Sequence, residues 1–387
     1  MPVQPNRQTP SAGRPELFAG MAIVVIGMQM FIVQPGFVGG LVSNRELEES
    51  VAGLIASAEM FGMAATTILA AALGSRIDWR WLTGGALLAL VLANGASAAL
   101  TAPLALGAAR TIAGLAAGLL LSLGYAVVGR SANPDRWFGY LIMAVLLYGA
   151  AGLFFMPSLL ASVGMTGLLG LFAAMAAAGF LAVSRMPRSG LAEAGHGGRA
   201  LWRLNGRAWS CLAAVLAFFL GQGVVWAFLV LIGTHLGIAD QAIANGLTIA
   251  QIAGIGGAFA AATLGARLPH IALLIVGTAG SVIPLLLLAG GVDGLGYSIN
   301  VTIFNFAANL LTPLLIAIAA RMDSGEALVQ KAVALQMIGL AVGPAIAAPL
   351  LGADGYGMML ALSAGLFLLS FGAASIGVAH ERRICRF

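Results

Sequence analysis

The feature of this sequence that most constrains its fold is the recurrence of apolar runs near 20 residues long along the whole chain. The apolar core of a bilayer takes roughly 20 residues per helix. A span and a short loop together need about 32 residues, so a chain of 387 residues has room for twelve spans. The sequence therefore predicts an all-α membrane protein that crosses the bilayer repeatedly.

Composition excludes several other classes of protein. Charged residues make up 9% of the chain and hydrophobic residues 60%, whereas about a quarter of a soluble domain is charged. A soluble enzyme, a disordered chain and a coiled coil are thereby excluded. The basic residues are scattered through short loops and form no aromatic-rich patch, so we expect no binding of nucleic acid. Cys211 and Cys385 lie far apart without ligand spacing, and we expect neither a metal site nor a cofactor.

The predicted spans are defined by their apolar runs. They are 17–42, 51–73, 81–101, 104–128, 139–162, 166–185, 208–233, 241–264, 271–290, 296–320, 328–350 and 356–379. We number them spans 1 to 12.

The distribution of basic residues predicts the orientation. With the N-terminus in the cytoplasm, 17 of the 19 Lys and Arg residues lie on the inner side, Arg45 lies outside and Arg110 lies within a span. Cytoplasmic loops carry the excess of Lys and Arg, so both termini are predicted to be cytoplasmic. We read no cleaved signal peptide at the start of the chain. Low Lys with high Ala and Gly favours a bacterial inner membrane, and we expect a functional monomer in the lipid bilayer.

A central polar segment divides the chain into two sets of six spans. The predicted units are an N-terminal tail (1–16), a first half (17–185), a cytoplasmic linker (186–207), a second half (208–379) and a C-terminal tail (380–387).

The two halves echo each other in sequence. Gln29 and Gln222 are 193 residues apart, and the Ala-Glu pair ending at Glu59 matches the Ala-Gln pair ending at Gln251. The offset drifts between 191 and 193 residues along spans 2 and 8. Duplicated six-span halves are a known plan of transporters. A chance match between Gly- and Ala-rich helices is the alternative.

Local motifs add a family resemblance. Span 4 contains Arg110-x-x-x-Gly114-x-x-x-Gly118, and the loop after span 2 keeps Leu73 and Arg76 of a basic signature. With the six-plus-six arrangement, these residues make the chain resemble the major facilitator superfamily. The resemblance implies two pseudo-symmetric six-helix halves that alternate in access, with spans 1, 4, 7 and 10 lining a central cavity.

One subfamily signature is not in its place. The Gly-Pro motif of drug/proton antiporters belongs in span 5, where this chain has Gly149, Gly152 and a later Pro157. A better match, from Gly339 to Pro344, lies in span 11 instead. The resemblance therefore extends to the superfamily and not to a subfamily.

Deep inside the spans there are two charged residues, Glu59 and Arg110. A charge at the centre of a bilayer costs at least about 2.5–3.5 kcal/mol, so such residues are kept where the bundle compensates for it. Their predicted depths, roughly 13 and 10 Å below the outer surface, allow them to meet. We expect them to couple transport to a proton. The alternatives are that Glu59 is a permanent structural partner of Arg110, or that Arg110 extends to the outer headgroups.

The remaining polar side chains within spans form the candidate surface for a solute. They are Gln29 and Gln34 in span 1, Ser122 and Tyr125 in span 4, Tyr148 in span 5, Gln222 and Trp226 in span 7, Gln251 in span 8, Asn305 and Asn309 in span 10, and Gln336 in span 11. Arg110 is a further candidate, as a ligand of an anion. For each amide, a hydrogen bond between helices is the competing interpretation.

These observations favour a secondary transporter of a small organic solute, by proton-coupled uptake of an organic anion. The alternative is proton-driven efflux of an amphiphilic, drug-like compound. A membrane enzyme would need clustered nucleophiles or His and Asp residues within spans, and the sequence has none. A sensor or structural protein without transport is a weaker candidate, because such proteins usually carry a large additional domain.

Overall fold

The computed structural model describes residues 12–73, 77–188, 206–265, 267–322, 327–351 and 355–379, and nearly all of them are helical. Span 1 consists of three helices, Arg14–Gly27, Gln29–Ile32 and Gln34–Arg45, and span 7 of two, Gly206–Trp226 and Leu229–His235. The other helices are Glu49–Leu73 (span 2), Trp79–Ala99 (span 3), Pro103–Gly129 (span 4), Pro134–Ala178 with Phe180–Val183 (spans 5 and 6), Asp240–Leu264 (span 8), His270–Ala289 (span 9), Gly294–Met322 (span 10), Ala327–Ala347 with the 3-10 turn Ala348–Leu350 (span 11) and Gly357–Ala379 (span 12).

Ten helical segments in the described residues are long and apolar enough to cross a membrane. One of them, Arg136–Val183, has 48 residues and contains spans 5 and 6. Gly164 interrupts it with φ +62° and ψ −174°, a conformation essentially restricted to glycine. Span 1 is missing from the ten because its longest unbroken piece has 14 residues. The prediction of twelve spans is therefore confirmed.

Spans 1 and 7, predicted as continuous runs, are broken. In span 1 the interruption at Val33 follows from Pro35, which has no backbone N–H and whose ring clashes with the carbonyl four residues earlier, that of Phe31. The helix is also interrupted at Met28, seven residues before this proline. Span 7 is interrupted after Trp226 without a proline, and its composition gives no signal for the break.

Within each half, glycine allows close contact between helices. Spans 2 and 4 pack so tightly that a Cβ atom on Gly62 would overlap the carbonyl of Thr111, and one on Gly114 would overlap the carbonyl of Glu59. In the second half, a Cβ on Gly257 would overlap the carbonyl of Phe306. Small residues at such contacts are typical of membrane helices. Here they bring Glu59 to the level of Arg110.

The halves meet through spans 1 and 7, 2 and 11, and 5 and 8. Two hydrogen bonds at this interface are made by residues that occupy equivalent positions in the two halves. The hydroxyl of Ser57 donates to the carbonyl of Ala341, and that of Thr248 donates to the carbonyl of Ala150 at 3.2 Å. Both donors and both acceptors are 191 residues apart, so the sequence repeat corresponds to an equivalent contact.

Several predicted features lie outside the described residues. They are most of the linker (189–205), the tail segments 1–11 and 380–387, and Arg76 of the loop signature. The orientation of the bundle and the division into tails, halves and linker stay predictions. We call the end that carries the connection between spans 1 and 2 (residues 46–48) the predicted outer end.

Candidate functional site

The two charged residues predicted from the sequence are in contact. Glu59 Oε2 lies 3.3 Å from Arg110 Nη1, and the side chains are 5% and 0% exposed. Glu59 lies on span 2 and Arg110 on span 4, next to the contact that Gly114 makes possible. The bundle therefore holds an ion pair out of contact with solvent.

Two residues of span 3 complete the surroundings of Arg110. Nη2 donates to Asn94 Oδ1 at 2.7 Å and Nε donates to Ser97 Oγ at 3.0 Å, so each nitrogen of the guanidinium has a protein acceptor. Asn94 and Ser97 are not among the residues predicted from the sequence to face a solute. Their spacing of three residues, which places them on one helix face, is the signal that could have identified them.

The break in span 1 is a second centre of polar contacts. The hydroxyl of Tyr148, on span 5, donates to the carbonyl of Gln29 at 3.0 Å. The indole Nε1 of Trp226, on span 7, donates to the carbonyl of Phe31 at 3.2 Å. Gln29, Tyr148 and Trp226 are predicted site residues, but their meeting place at the backbone of span 1 is not apparent from the sequence.

A series of hydrogen-bonded side-chain amides in the second half also contacts the break in span 1. Gln251 Nε2 donates to the carbonyl of Ile32 at 3.4 Å, and its Oε1 accepts from Asn305 Nδ2 at 3.4 Å. Asn305 also donates to the carbonyl of Ala250 at 2.7 Å, and Asn309 donates to the carbonyl of Asn305 at 2.9 Å. These amides connect spans 8 and 10 of one half with span 1 of the other.

Gln251 matches Glu59 by the repeat, 192 residues away. Each contacts a polar residue two spans further along the chain, Arg110 in the first half and Asn305 in the second. The equivalent polar contact is therefore charged in one half and neutral in the other.

Three glutamines carry buried atoms without a hydrogen-bond partner among the described residues. The atoms are Gln29 Oε1, Gln34 Nε2 and Gln222 Oε1. Gln29 and Gln34 are each 2% exposed. Buried polar groups are normally paired, so these atoms are candidates for contacts with a solute.

Other candidates lie apart from these contacts. Tyr125 is 39% exposed and its hydroxyl lies 4.0 Å from Met28 Sδ, while the Ser122 hydroxyl donates to the carbonyl of Gly118 within its own helix. Gln336 lies half-buried in the middle of span 11. Over the described part of the chain, there is no group of three or more His, Cys, Asp or Glu residues placed to hold a metal ion.

Comparisons with known proteins identify the family. The sequence model of the Major Facilitator Superfamily matches residues 19–348. No curated protein sequence matches the chain significantly. Among solved structures, the nucleoside transporter NupG aligns with a TM-score of 0.72 at 11% identity, over 93% of this chain and 99% of NupG. The xylose transporter XylE from E. coli aligns with a TM-score of 0.71 at 13% identity, over 92% of this chain and 96% of XylE. The protein belongs to the major facilitator superfamily of membrane transporters.

Proposed function

We propose that the protein is a proton-coupled secondary transporter that moves a small, uncharged, polar organic solute by alternating access between its halves. The observation that carries the proposal is the buried contact between Glu59 and Arg110. A carboxyl group that is paired in one arrangement of the helices and unpaired in another changes its affinity for a proton. Such a group can take up and release a proton during each cycle.

The surroundings of Arg110 favour an uncharged solute over the organic anion expected from sequence. Arg110 is 0% exposed and each of its three nitrogens already donates to Glu59, Asn94 or Ser97, so an anion would have to open this packing to reach the guanidinium. Removing a partner from a buried charge costs about 3–5 kcal/mol. Arg110 then serves Glu59 rather than the solute.

The amides and aromatic groups at the break in span 1 are the proposed solute site. Gln29, Gln34 and Gln222 offer atoms that pair with hydroxyl or amide groups, and Trp226 offers an apolar ring face. Ligand sites in this architecture lie near the midplane between the halves. Xylose and nucleosides, named for the two structural neighbours, are uncharged and rich in hydroxyl groups, which fits such a site.

A thermal-shift screen of the purified protein tests the solute class. The compounds are xylose and uridine, the matched pair glucose and gluconate, and tetraphenylphosphonium as an amphiphilic cation. A ligand that binds the folded state raises the melting temperature by mass action. We expect stabilisation by a neutral compound in both wild type and the control Gln330→Leu, at an exposed glutamine at the start of span 11, and weaker stabilisation in Gln222→Leu.

Two results would replace this proposal. Stabilisation by gluconate and not by glucose, lost in Arg110→Ala, would restore uptake of an organic anion. Stabilisation by tetraphenylphosphonium alone would favour efflux of amphiphilic compounds.

A further inference from the structure

The break in span 1 removes the α-helical partner of one backbone carbonyl. Pro35 has no N–H to donate to the carbonyl of Phe31, four residues earlier, and that carbonyl accepts instead from a backbone N–H at the end of the helix Gln29–Ile32. A carbonyl oxygen has two lone pairs and can accept a further hydrogen bond. Trp226, which is 6% exposed, supplies that further donor from the opposite half of the protein.

A second donor reaches the same segment from the same half. Gln251, 2% exposed, donates to the carbonyl of Ile32, the residue after Phe31. Both donors belong to the second half and both acceptors to the first. These bonds exist only while the halves are closed against each other at this level.

Other close contacts continue this interface. A Cβ on Gly39 would lie 2.7 Å from Val230, and one on Gly53 would lie 2.5 Å from Phe228. Gly39 and Val230 lie between the break in span 1 and the predicted outer end. The halves are therefore in contact from the break toward that end.

We propose that Trp226 and Gln251 are positioning residues that hold the predicted outer end closed, by donating to the carbonyls of Phe31 and Ile32 at the break in span 1. We call these two hydrogen bonds the outer latch. The inference rests on the proposed alternation of the two halves. It requires neither the proton nor the identity of the solute.

The outer latch has no counterpart by the internal repeat. At the offset of 193 residues, Trp226 corresponds to Val33, whose side chain has no donor. Gln251 corresponds to Glu59, which contacts Arg110. Loss of a latch donor is therefore not compensated by an equivalent residue in the first half. The hydrogen bonds of the Ser57 and Thr248 hydroxyls between the halves remain. We therefore expect a larger population of the open state at the predicted outer end, but not complete opening.

Access to Val230 measures opening at this end. Val230 is half-buried against Gly39, so a cysteine there reacts faster with a reagent from outside when the halves part. The experiment uses Val230→Cys in the full chain without its two native cysteines, in right-side-out vesicles. The labelling rate with a membrane-impermeant maleimide is measured without solute, and denatured protein gives the total reactive thiol.

Three variants weaken the outer latch, two by removing a donor and one by changing the acceptor. Trp226→Phe keeps an aromatic ring and loses the N–H, and Gln251→Met keeps the length and loses the amide. Pro35→Ala changes only the acceptor side, because the restored N–H competes for the carbonyl of Phe31. Trp209→Phe, at a residue on span 7 that is 55% exposed, is the matched control.

We expect the labelling rate to rise about five-fold in Trp226→Phe and in Gln251→Met, the population shift that one neutral hydrogen bond supports. A rise is also expected in Pro35→Ala, and none in Trp209→Phe. Rates within two-fold of the parent protein in both Trp226→Phe and Gln251→Met would overturn the outer latch, as would slower labelling. If the protein carries no proton, these rates are unaffected, so failure of the proposed coupling is distinguishable from failure of the latch.

Discussion

Glu59 and Arg110 form an ion pair with 3.3 Å between Oε2 and Nη1, on two helices whose backbones touch at Gly114. Neither side chain is more than 5% exposed. Each charge is therefore tolerated because of the other, and the stability of the first half depends on keeping both or neither.

Arg110→Ala is expected to lower thermal stability sharply, by about 3–5 kcal/mol, because it leaves Glu59 buried and unpaired. The double variant Glu59→Gln, Arg110→Gln is expected to recover most of that loss, since the second half uses neutral amides at the equivalent contact. Thermal unfolding in detergent, monitored by intrinsic fluorescence, measures both. A double variant no more stable than Arg110→Ala would show that the charges are not what couples the two positions.

Gly114→Ala is expected to destabilise the protein by about 1–3 kcal/mol, since the added methyl group overlaps the carbonyl of Glu59 and forces spans 2 and 4 apart. Gly107→Ala, on the same helix, is the matched control, because a Cβ there meets nothing within 4 Å. The control should be neutral or slightly stabilising, as alanine favours the helix. Equal melting temperatures for the two variants would contradict the close packing of these spans.

Asn94→Leu is expected to destabilise the protein by about 1.5–3 kcal/mol, the contribution of a hydrogen bond to a charged group, because Arg110 Nη2 loses its acceptor. Leu92→Ala, at a residue of span 3 that is 62% exposed, controls for a change of side-chain volume on the same helix. The measurement is again thermal unfolding. Equal losses in the two variants would indicate that Asn94 acts only by filling space.

Gln222→Leu is expected to weaken binding of the solute about two- to ten-fold, the effect of one neutral hydrogen bond. Stability without solute should be unchanged or higher, because the buried Oε1 of Gln222 has no partner among the described residues. The test is isothermal titration of the neutral compound that gives the largest thermal shift. A large loss of stability with unchanged affinity would assign Gln222 to packing between helices.

Much of the fold could be predicted because a bilayer makes simple demands on sequence. Each span needs a run of apolar residues, so the spans followed from hydropathy to within a few residues. The contact between Glu59 and Arg110 could be predicted for a similar reason, since two charges at comparable depth within spans 2 and 4 each need a partner.

The rest depended on backbone geometry. Span 1 was predicted as continuous although Pro35 cannot donate to the carbonyl of Phe31, and which donor reaches that carbonyl from the other half depends on how the halves pack. Asn94 was not a predicted candidate, because the resemblance places spans 1, 4, 7 and 10 around the cavity and not span 3; the structure shows that Asn94 contacts Arg110. Tyr125, chosen for its polarity alone, is partly exposed near Met28, because periodicity does not tell which neighbour a helix face meets.

Solute-driven proton movement in proteoliposomes tests the central claim most directly. A pH-sensitive dye is enclosed, the neutral compound selected by thermal shift is added outside, and wild type is compared with Glu59→Gln. We predict acidification of the interior with wild type. Glu59→Gln keeps an oxygen that can accept from Arg110, so this variant should remain folded and still exchange labelled solute across the membrane without moving protons. Proton movement undiminished in Glu59→Gln, or solute entry through wild type without any proton movement, would contradict the account.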